Sequence, residues 1–264
     1  MKRAIDAETI ILKFGTAIIS KNGKLHMVWL RNKIAEIADM INAGKRIALV
    51  SSGSVGAGMM VEELQSRPTD TLELQLLSGI GQPHMMRMYR DQFRKHDLSV
   101  AQILLTHHNF STPSEKRNIR DVINAYLDRN TVPIINTNDI ITTEELVANR
   151  RSRITDNDEL AGLVAVNQAA DLLLIMTDVE GFYPKNPKNY NGMPMIESIP
   201  KVTPEVERMA SRETSSLGIG GMYSKAWAAK LAGKKHIPTI VAHGRYSIRD
   251  VLENNVRRTI FYGE

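Results

Sequence analysis

Short, unbroken apolar runs, each separated from the next by helix-length segments, constrain this chain more than any other feature. Thr9-Ile10-Ile11-Leu12 is one such run. Arg46-Ile47-Ala48-Leu49-Val50, residues 98–105, Thr131-Val132-Pro133-Ile134-Ile135, residues 171–176 and residues 238–242 are others. Runs of this length that do not alternate with polar residues read as strands buried in a parallel sheet. Residues 26–43 carry the amphipathic spacing of a helix, with Ile34, Ile37 and Ile41 on one face and Gly44 as its stop. Further helices are expected over 71–95, 114–129, up to about Ala169, 202–211 and 226–235. A break is expected at Gly79-Ile80-Gly81-Gln82-Pro83, and 259–262 reads as a short edge strand. The regular alternation, over 264 residues, fits one large α/β domain or two small ones.

Composition narrows the class. The net charge of +5 comes from scattered residues, and the densest basic run, Arg150-Arg151-Ser152-Arg153, is too short for a nucleic-acid arm. A mild positive excess suits anionic small molecules. There is no cysteine, which excludes disulfides, thiolate metal sites and thiol catalysis. No stretch approaches the ~20 apolar residues of a membrane span. Asp6, Glu8 and Lys13 interrupt what a signal peptide would need. A soluble, cytoplasmic protein is the expectation.

Polar residues gather where the strands end. The first run exits into Lys13-Phe14-Gly15, an ammonium beside a glycine, which either holds phosphate or lets a lysine reach solvent. The second exits into Ser51-Ser52-Gly53-Ser54-Val55-Gly56-Ala57-Gly58, either an anion-binding turn or a site of close helix packing. It matches neither G-x-G-x-x-G nor a Walker A loop. The fourth exits into Asn136-Thr137-Asn138-Asp139 and the fifth into Thr177-Asp178. Ligands of open α/β sheets bind at such carboxyl ends. Asp156-Asn157-Asp158 precedes the apolar run Leu160 to Val166 and marks a helix start. One cap needs one such residue, and three are present. Gly220-Gly221-Met222-Tyr223-Ser224-Lys225 puts a lysine in the first turn of a helix, against the macrodipole unless an anion sits there too. His107-His108 is a poor metal pair, because neighbours on an extended segment point to opposite faces. No metal site is expected in the protein itself.

In order along the chain, Lys13-Phe14-Gly15-Thr16, Ser51-Ser52-Gly53, Asn136-Thr137-Asn138-Asp139, Asp156-Asn157-Asp158, residues 177–183 and residues 220–225 resemble the motif series of the amino acid kinase family. Each motif alone is weak; the ordered set is specific. The resemblance implies a three-layer α/β/α sandwich around a mainly parallel sheet, formed by a single domain over 1–264. Residues 1–170 would form the acceptor half and 171–264 the nucleotide half. It implies transfer of phosphate from Mg-ATP, the Mg2+ held mainly by the nucleotide, to the γ-carboxylate of L-glutamate, the first step towards proline. By position, Lys13, Asp156 and Lys225 would be catalytic, with Asp156 orienting the two lysines. Ser52, Gly53, Asn136, Asp139, Asn157 and Asp158 would hold glutamate. Lys13, Gly15, Thr177, Asp178, Ile219, Gly220, Gly221, Met222, Tyr223, Ser224 and Lys225 would hold the nucleotide. A homo-oligomer, with proline as a candidate feedback inhibitor, is implied as well. So is a short form without the PUA domain that many bacterial members carry.

Some positions depart from the family pattern. Ile219 stands for a usual threonine, Thr137 for a usual glutamate, Ala17 for a small hydroxyl residue, and Asn186-Pro187 for Asp-Pro. Residues 146–154 are longer and more basic than expected. Two other readings remain: a sister kinase acting on another carboxylate or phosphate, and a non-catalytic nucleotide- or anion-binding protein on this fold. The joint presence of Lys13, Asp156 and Lys225 argues against the last.

Overall fold

A computed structural model describes residues 4–21, 24–142, 156–184, 192–210 and 221–263. The first apolar run forms β1 (Thr9–Phe14). It is followed by the single turn α1 (Thr16–Ile19) and a small hairpin, β2 (Ser20–Lys21) with β3 (Lys24–Leu25). Then come α2 (Met27–Asn42), β4 (Arg46–Ser51), α3 (Ser54–Val61), α4 (Thr71–Phe93), β5 (Ser99–Leu105), α5 (Pro113–Leu127) and β6 (Thr131–Thr137). The second part holds α6 (Asn157–Gln168), β7 (Leu172–Thr177), β8 (Ser198–Ile199), α7 (Pro204–Met209), α8 (Met222–Gly233), β9 (Thr239–His243), α9 (Ile248–Leu252) and β10 (Arg258–Phe261).

Eight strands form one sheet in the order β5-β6-β4-β1-β7-β9-β10-β8. The six from β5 to β9 run parallel, and β10 joins antiparallel. The residues expected as an edge strand are therefore internal, with β8 outside them. Strand pleating divides the core between two faces. Ile10, Leu12 and Phe14 pack with Leu30, Ile34 and Ile37 of α2, Met85, Tyr89 and Phe93 of α4 and Val251 of α9. Ile11 packs on the other face with Ile123 of α5, Leu160 and Val164 of α6 and Ala228 of α8. The result is the expected three-layer α/β/α sandwich. By parity Lys13 belongs with Ile11, on the side of α6 and α8.

The expected break in α4 does not occur: the helix runs unbroken through Pro83. The glycines there serve a helix contact instead. A Cβ on Gly81 would lie 1.9 Å from the Ser54 carbonyl oxygen, and one on Gly58 would lie 1.9 Å from that of Leu77. This close approach of α3 to α4 favours packing as the role of Gly58 in the serine- and glycine-rich turn. The chain enters α3 through Gly53, whose φ of 109° is left-handed. The polar excursion expected over 142–153 falls almost wholly outside the described residues.

Candidate active site

The exits of β1, β4, β6 and β7 line one edge of the sheet. Lys13 pairs in register with Val50 and Ile175, and Val50 in turn with Ile135. Strand β6 is longer than expected, so Asn136 and Thr137 are its last two residues. The chain crosses from one side of β1 to the other between β6 and β7, and such a switch point is where open sheets bind ligands.

Helix α6 starts over this edge. Asp156 is its N-cap, and Oδ1 accepts from the backbone N–H of Asp158 at 2.9 Å and of Glu159 at 3.1 Å. Its Oδ2 is buried and has no hydrogen-bond partner among the described residues. Asp158, two residues further, is wholly buried. Its Oδ1 lies 2.5 Å from Lys13 Nζ. Its Oδ2 accepts from Lys225 Nζ at 3.0 Å and from Ser224 Oγ at 2.8 Å. One carboxylate thus joins both lysines. The structure gives to Asp158 the bridging contacts expected of Asp156, whose Oδ1 is committed to its own helix while its charge still reaches both lysines. The two helices can meet because Gly162 faces α8, where a Cβ would come within 3.1 Å of the Ala228 carbonyl oxygen.

Electrostatics separates the two carboxylates. Burial pushes Asp158 up, but the ammonium groups of Lys13 and Lys225 outweigh it and hold the group well below the usual carboxylate range. Asp156 is pushed up to about 6, first by burial and then by the charge of Asp158, against partial relief from the same lysines. Burial lowers the Lys225 ammonium, yet Asp158 and Asp156 more than offset it and the net shift is upward.

The nucleotide residues partly gather here. Thr177 Oγ1 donates to Asp178 Oδ1 at 3.2 Å, and the charge of Asp178 reaches Lys225. Gly15 sits beside Lys13 Nζ and Thr177 Oγ1, but its N–H is committed to the Met176 carbonyl at 3.1 Å. Helix α8 begins at Met222, earlier than expected, behind Gly221, and no side chain caps it. Met222 is buried and Tyr223 half-buried. Ile219 and Gly220 lie outside the described residues.

The acceptor residues form a second cluster at the exit of β6. Asp139 is 3% exposed. Its Oδ2 accepts from Ser78 Oγ at 2.7 Å and Ser54 Oγ at 3.1 Å, and its Oδ1 from Thr137 Oγ1 at 2.7 Å. Asn136 Oδ1 accepts from the Thr137 N–H at 2.9 Å, while Asn136 Nδ2 is buried without a partner among the described residues. Ser52 is buried, with its N–H donating to the Phe14 carbonyl at 3.3 Å. Asn157 is buried beside Asp158.

Sequence reasoning missed several of these groups. Ser54 and Ser78 have no motif of their own; only a serine on the buried face of α4, among Leu74, Leu77 and Met85, hinted at a partner. Glu159 was also missed. Its Oε1 accepts from Trp227 Nε1 at 3.0 Å and lies 3.4 Å from His107 Nε2, tying α6 to α8 and to the exit of β5. His107 thus faces a carboxylate and His108 is exposed.

Two buried lysines that share one aspartate at the exits of a parallel sheet, next to an uncapped helix start, define a phosphoryl-transfer class of site. The chain belongs to the amino acid kinase family, whose model matches residues 8–243, and it is accordingly a kinase. It is 31% identical to a glutamate 5-kinase of Lactococcus lactis subsp. lactis over 264 residues, covering 99% of this chain and 97% of the relative. Glutamate 5-kinases of Methanococcoides burtonii and a Marinomonas species are 35% and 39% identical over 97% and 90% of this chain. The chain spans 68% and 63% of the length of those two. Among solved structures, a carbamate kinase from Giardia lamblia bound to AMP-PNP superposes with a TM-score of 0.64 at 17% identity, covering 97% of this chain and 98% of that one. A UMP kinase from Ureaplasma parvum gives 0.62 at 15%, covering 98% and 100%. These two share the fold.

Proposed function

We propose that the chain transfers the γ-phosphoryl group of ATP to the γ-carboxylate of L-glutamate, forming L-glutamyl 5-phosphate and ADP on the route to proline. The observation that carries this is the Lys13–Asp158–Lys225 bridge. Phosphoryl transfer asks a protein mainly for in-line positioning and for positive charge on the moving group. The bridge holds two ammonium groups on one carboxylate before any phosphate arrives. The attacking carboxylate is ionised at pH 7, so no general base is needed. One of its oxygens bonds to the γ-phosphorus as the bond to the β-phosphate oxygen breaks. Lys13 and Lys225 stabilise the charge on the equatorial oxygens, and Asp158 keeps the lysines placed.

The nucleotide phosphates fit the start of α8, where Gly221 leaves backbone N–H groups uncapped and Lys225 projects back towards them. Thr177 and Asp178 flank that end. Among the described residues no three acidic or histidine groups gather at metal-ligand spacing. On this reading Mg2+ would be held mainly by the ATP phosphates and would add positive charge to the transfer. Asn136 and Asp139 suit the amino-acid end of the acceptor. The same reading has the chain working in the cytoplasm as a homo-oligomer responsive to proline. Among the described residues no helix is long and apolar enough to cross a membrane. Exposed Leu72, Leu76 and Ile80 on one face of α4, with Ile140 and Ile141 beside them, support self-association.

The test is chemical. Incubation with Mg-ATP, hydroxylamine and L-glutamate should trap the acyl phosphate as a hydroxamate. ADP release driven by another carboxylate or by a phosphate acceptor, with no hydroxamate from glutamate, would replace this reading with that of a sister kinase.

A further inference from the structure

Three hydroxyl groups from three separate elements converge on one buried carboxylate, that of Asp139: Ser54 from α3, Ser78 from α4 and Thr137 from the end of β6. Ser54 and Ser78 both occupy Oδ2, and Thr137 takes one lone pair of Oδ1. A carboxylate offers about four acceptor positions, so one on Oδ1 stays open to a ligand. No lysine or arginine pairs with Asp139 among the described residues, and the cluster carries a net negative charge. Thr137 also reaches Asn136: its N–H fixes Asn136 Oδ1, which leaves the buried Nδ2 of Asn136 as a donor without a partner among the described residues. An open acceptor of negative charge next to a free amide donor matches an ammonium and a carboxylate on one carbon. That is the α-carbon end of an amino acid.

We propose that Ser54, Ser78 and Thr137 are positioning residues that hold Asp139 as a carboxylate for the acceptor's α-ammonium, so that selection of amino acids over their deaminated analogues resides in these hydroxyls. The inference rests on the reading above that Asp139 touches the acceptor. An ionised carboxylate at 3% exposure needs donors to stay in place. Without Thr137 Oγ1 or the serine pair, it turns towards the donors that remain and Oδ1 leaves the ammonium. A merely structural cluster would loosen the whole acceptor site instead.

The experiment compares L-glutamate with glutarate, which lacks the ammonium. Binding is measured by titration calorimetry, with glutarate read by competition, on the full chain and on Thr137→Val, Ser54→Ala, Ser78→Ala and Thr137→Ser. Thr137→Val and Ser78→Ala should each weaken L-glutamate by about ten-fold, the range for a hydrogen bond to a charged group. Glutarate should change less than about two-fold, and Thr137→Ser should restore glutamate binding. Equal weakening of both ligands, or none for glutamate, overturns the inference. Should Thr137→Val fail to fold, Ser54→Ala, whose 3.1 Å contact is the longest of the three, carries the same comparison. A wild-type chain that binds neither ligand refutes the acceptor reading itself. Unaltered variants on a wild type that binds and phosphorylates glutamate refute only the role of the hydroxyls.

Discussion

Two buried aspartates stand at the same edge of the sheet, and their surroundings differ in kind. Asp158 is held by two ammonium groups and one hydroxyl, Asp139 by three hydroxyls. The first cluster sets the ammonium groups of Lys13 and Lys225 against the carboxylates of Asp158 and Asp156, and the second holds its aspartate with no cation among the described residues. On the proposed reading the two ammonium groups of the first take phosphate and the carboxylate of the second takes an ammonium. Hydroxyls orient a carboxylate without neutralising it, whereas lysines neutralise it and stay available for exchange onto phosphate. On that reading the contrast divides the edge into a transfer site and a recognition site two strands apart.

The sharpest way to break this contrast is to remove Asp158. Asp158→Ala leaves Lys13 and Lys225 as buried, unpaired ammonium groups. It should cost about 3–5 kcal/mol in urea unfolding and lower kcat by about 10²-fold or more. A stable, active variant would show that the bridge is incidental. Lys225→Ala set against Asp139→Ala tests the division directly. The first should lower kcat by about 10²-fold with glutamate KM little changed, because it removes a contact made to the moving phosphate. The second should raise glutamate KM by about ten-fold or more with kcat largely kept. If both variants move both parameters alike, the edge is one site.

Much of this was legible before the fold was known. The unbroken apolar runs gave the parallel sheet, and the polar residues at their exits gave the edge on which the site lies. That the direct contacts to the lysines fall on Asp158 rather than Asp156 has a physical cause. An N-cap oxygen is drawn to the N–H groups two and three residues on, so one oxygen of Asp156 is committed to α6. Capping logic favoured Asp158, but the position of α8 was needed to see it. The glycines near Pro83 read as a helix break because a sequence does not show what faces them, here the backbone of α3. Ser54 and Ser78 were invisible for a related reason. Their partner lies 85 and 61 residues away, and a lone serine on an apolar face carries no spacing signal. The basic segment over 150–153 lies outside the described residues, so its reading stays with the sequence.

Acid titration sharpens the comparison with a smaller effect. Asp156 has its pKa raised from 3.8 to about 6, so the folded chain binds that proton more tightly than the unfolded chain does. Its contribution is therefore most favourable below about pH 4 and falls as pH rises through 6. Asp158 runs the other way: its depressed pKa gives stability that is present above the usual carboxylate range and lost in acid. Asp156→Asn keeps an oxygen to cap α6 and removes the charge. It should abolish the first slope and raise stability at pH 7 by on the order of 2 kcal/mol. Urea unfolding measured from pH 4 to 7 reads this, and an unchanged slope would place the titrating group elsewhere.

The smallest effect expected concerns the tie between the helices that carry the bridge. Trp227→Phe keeps the ring against its neighbours and removes only the N–H that donates to Glu159 Oε1. Among the described residues Glu159 Oε2 has no hydrogen-bond partner, and the variant leaves the buried carboxylate with His107 as its remaining side-chain contact there. The loss in unfolding free energy should be about 1–2 kcal/mol. The effect on kcat separates two explanations of Lys225. If the ammonium acts by its charge, a slight change in the seating of α8 is absorbed by the flexible lysine stem, and kcat falls by no more than about three-fold. If placement to a fraction of an ångström decides the rate, Trp227→Phe should approach Lys225→Ala in kcat while leaving glutamate KM alone. Asp158 Oδ2 accepts from Lys225 and from Ser224 beside it, so the bridge seats the start of α8 without help from Trp227. The first outcome is therefore the one the geometry favours.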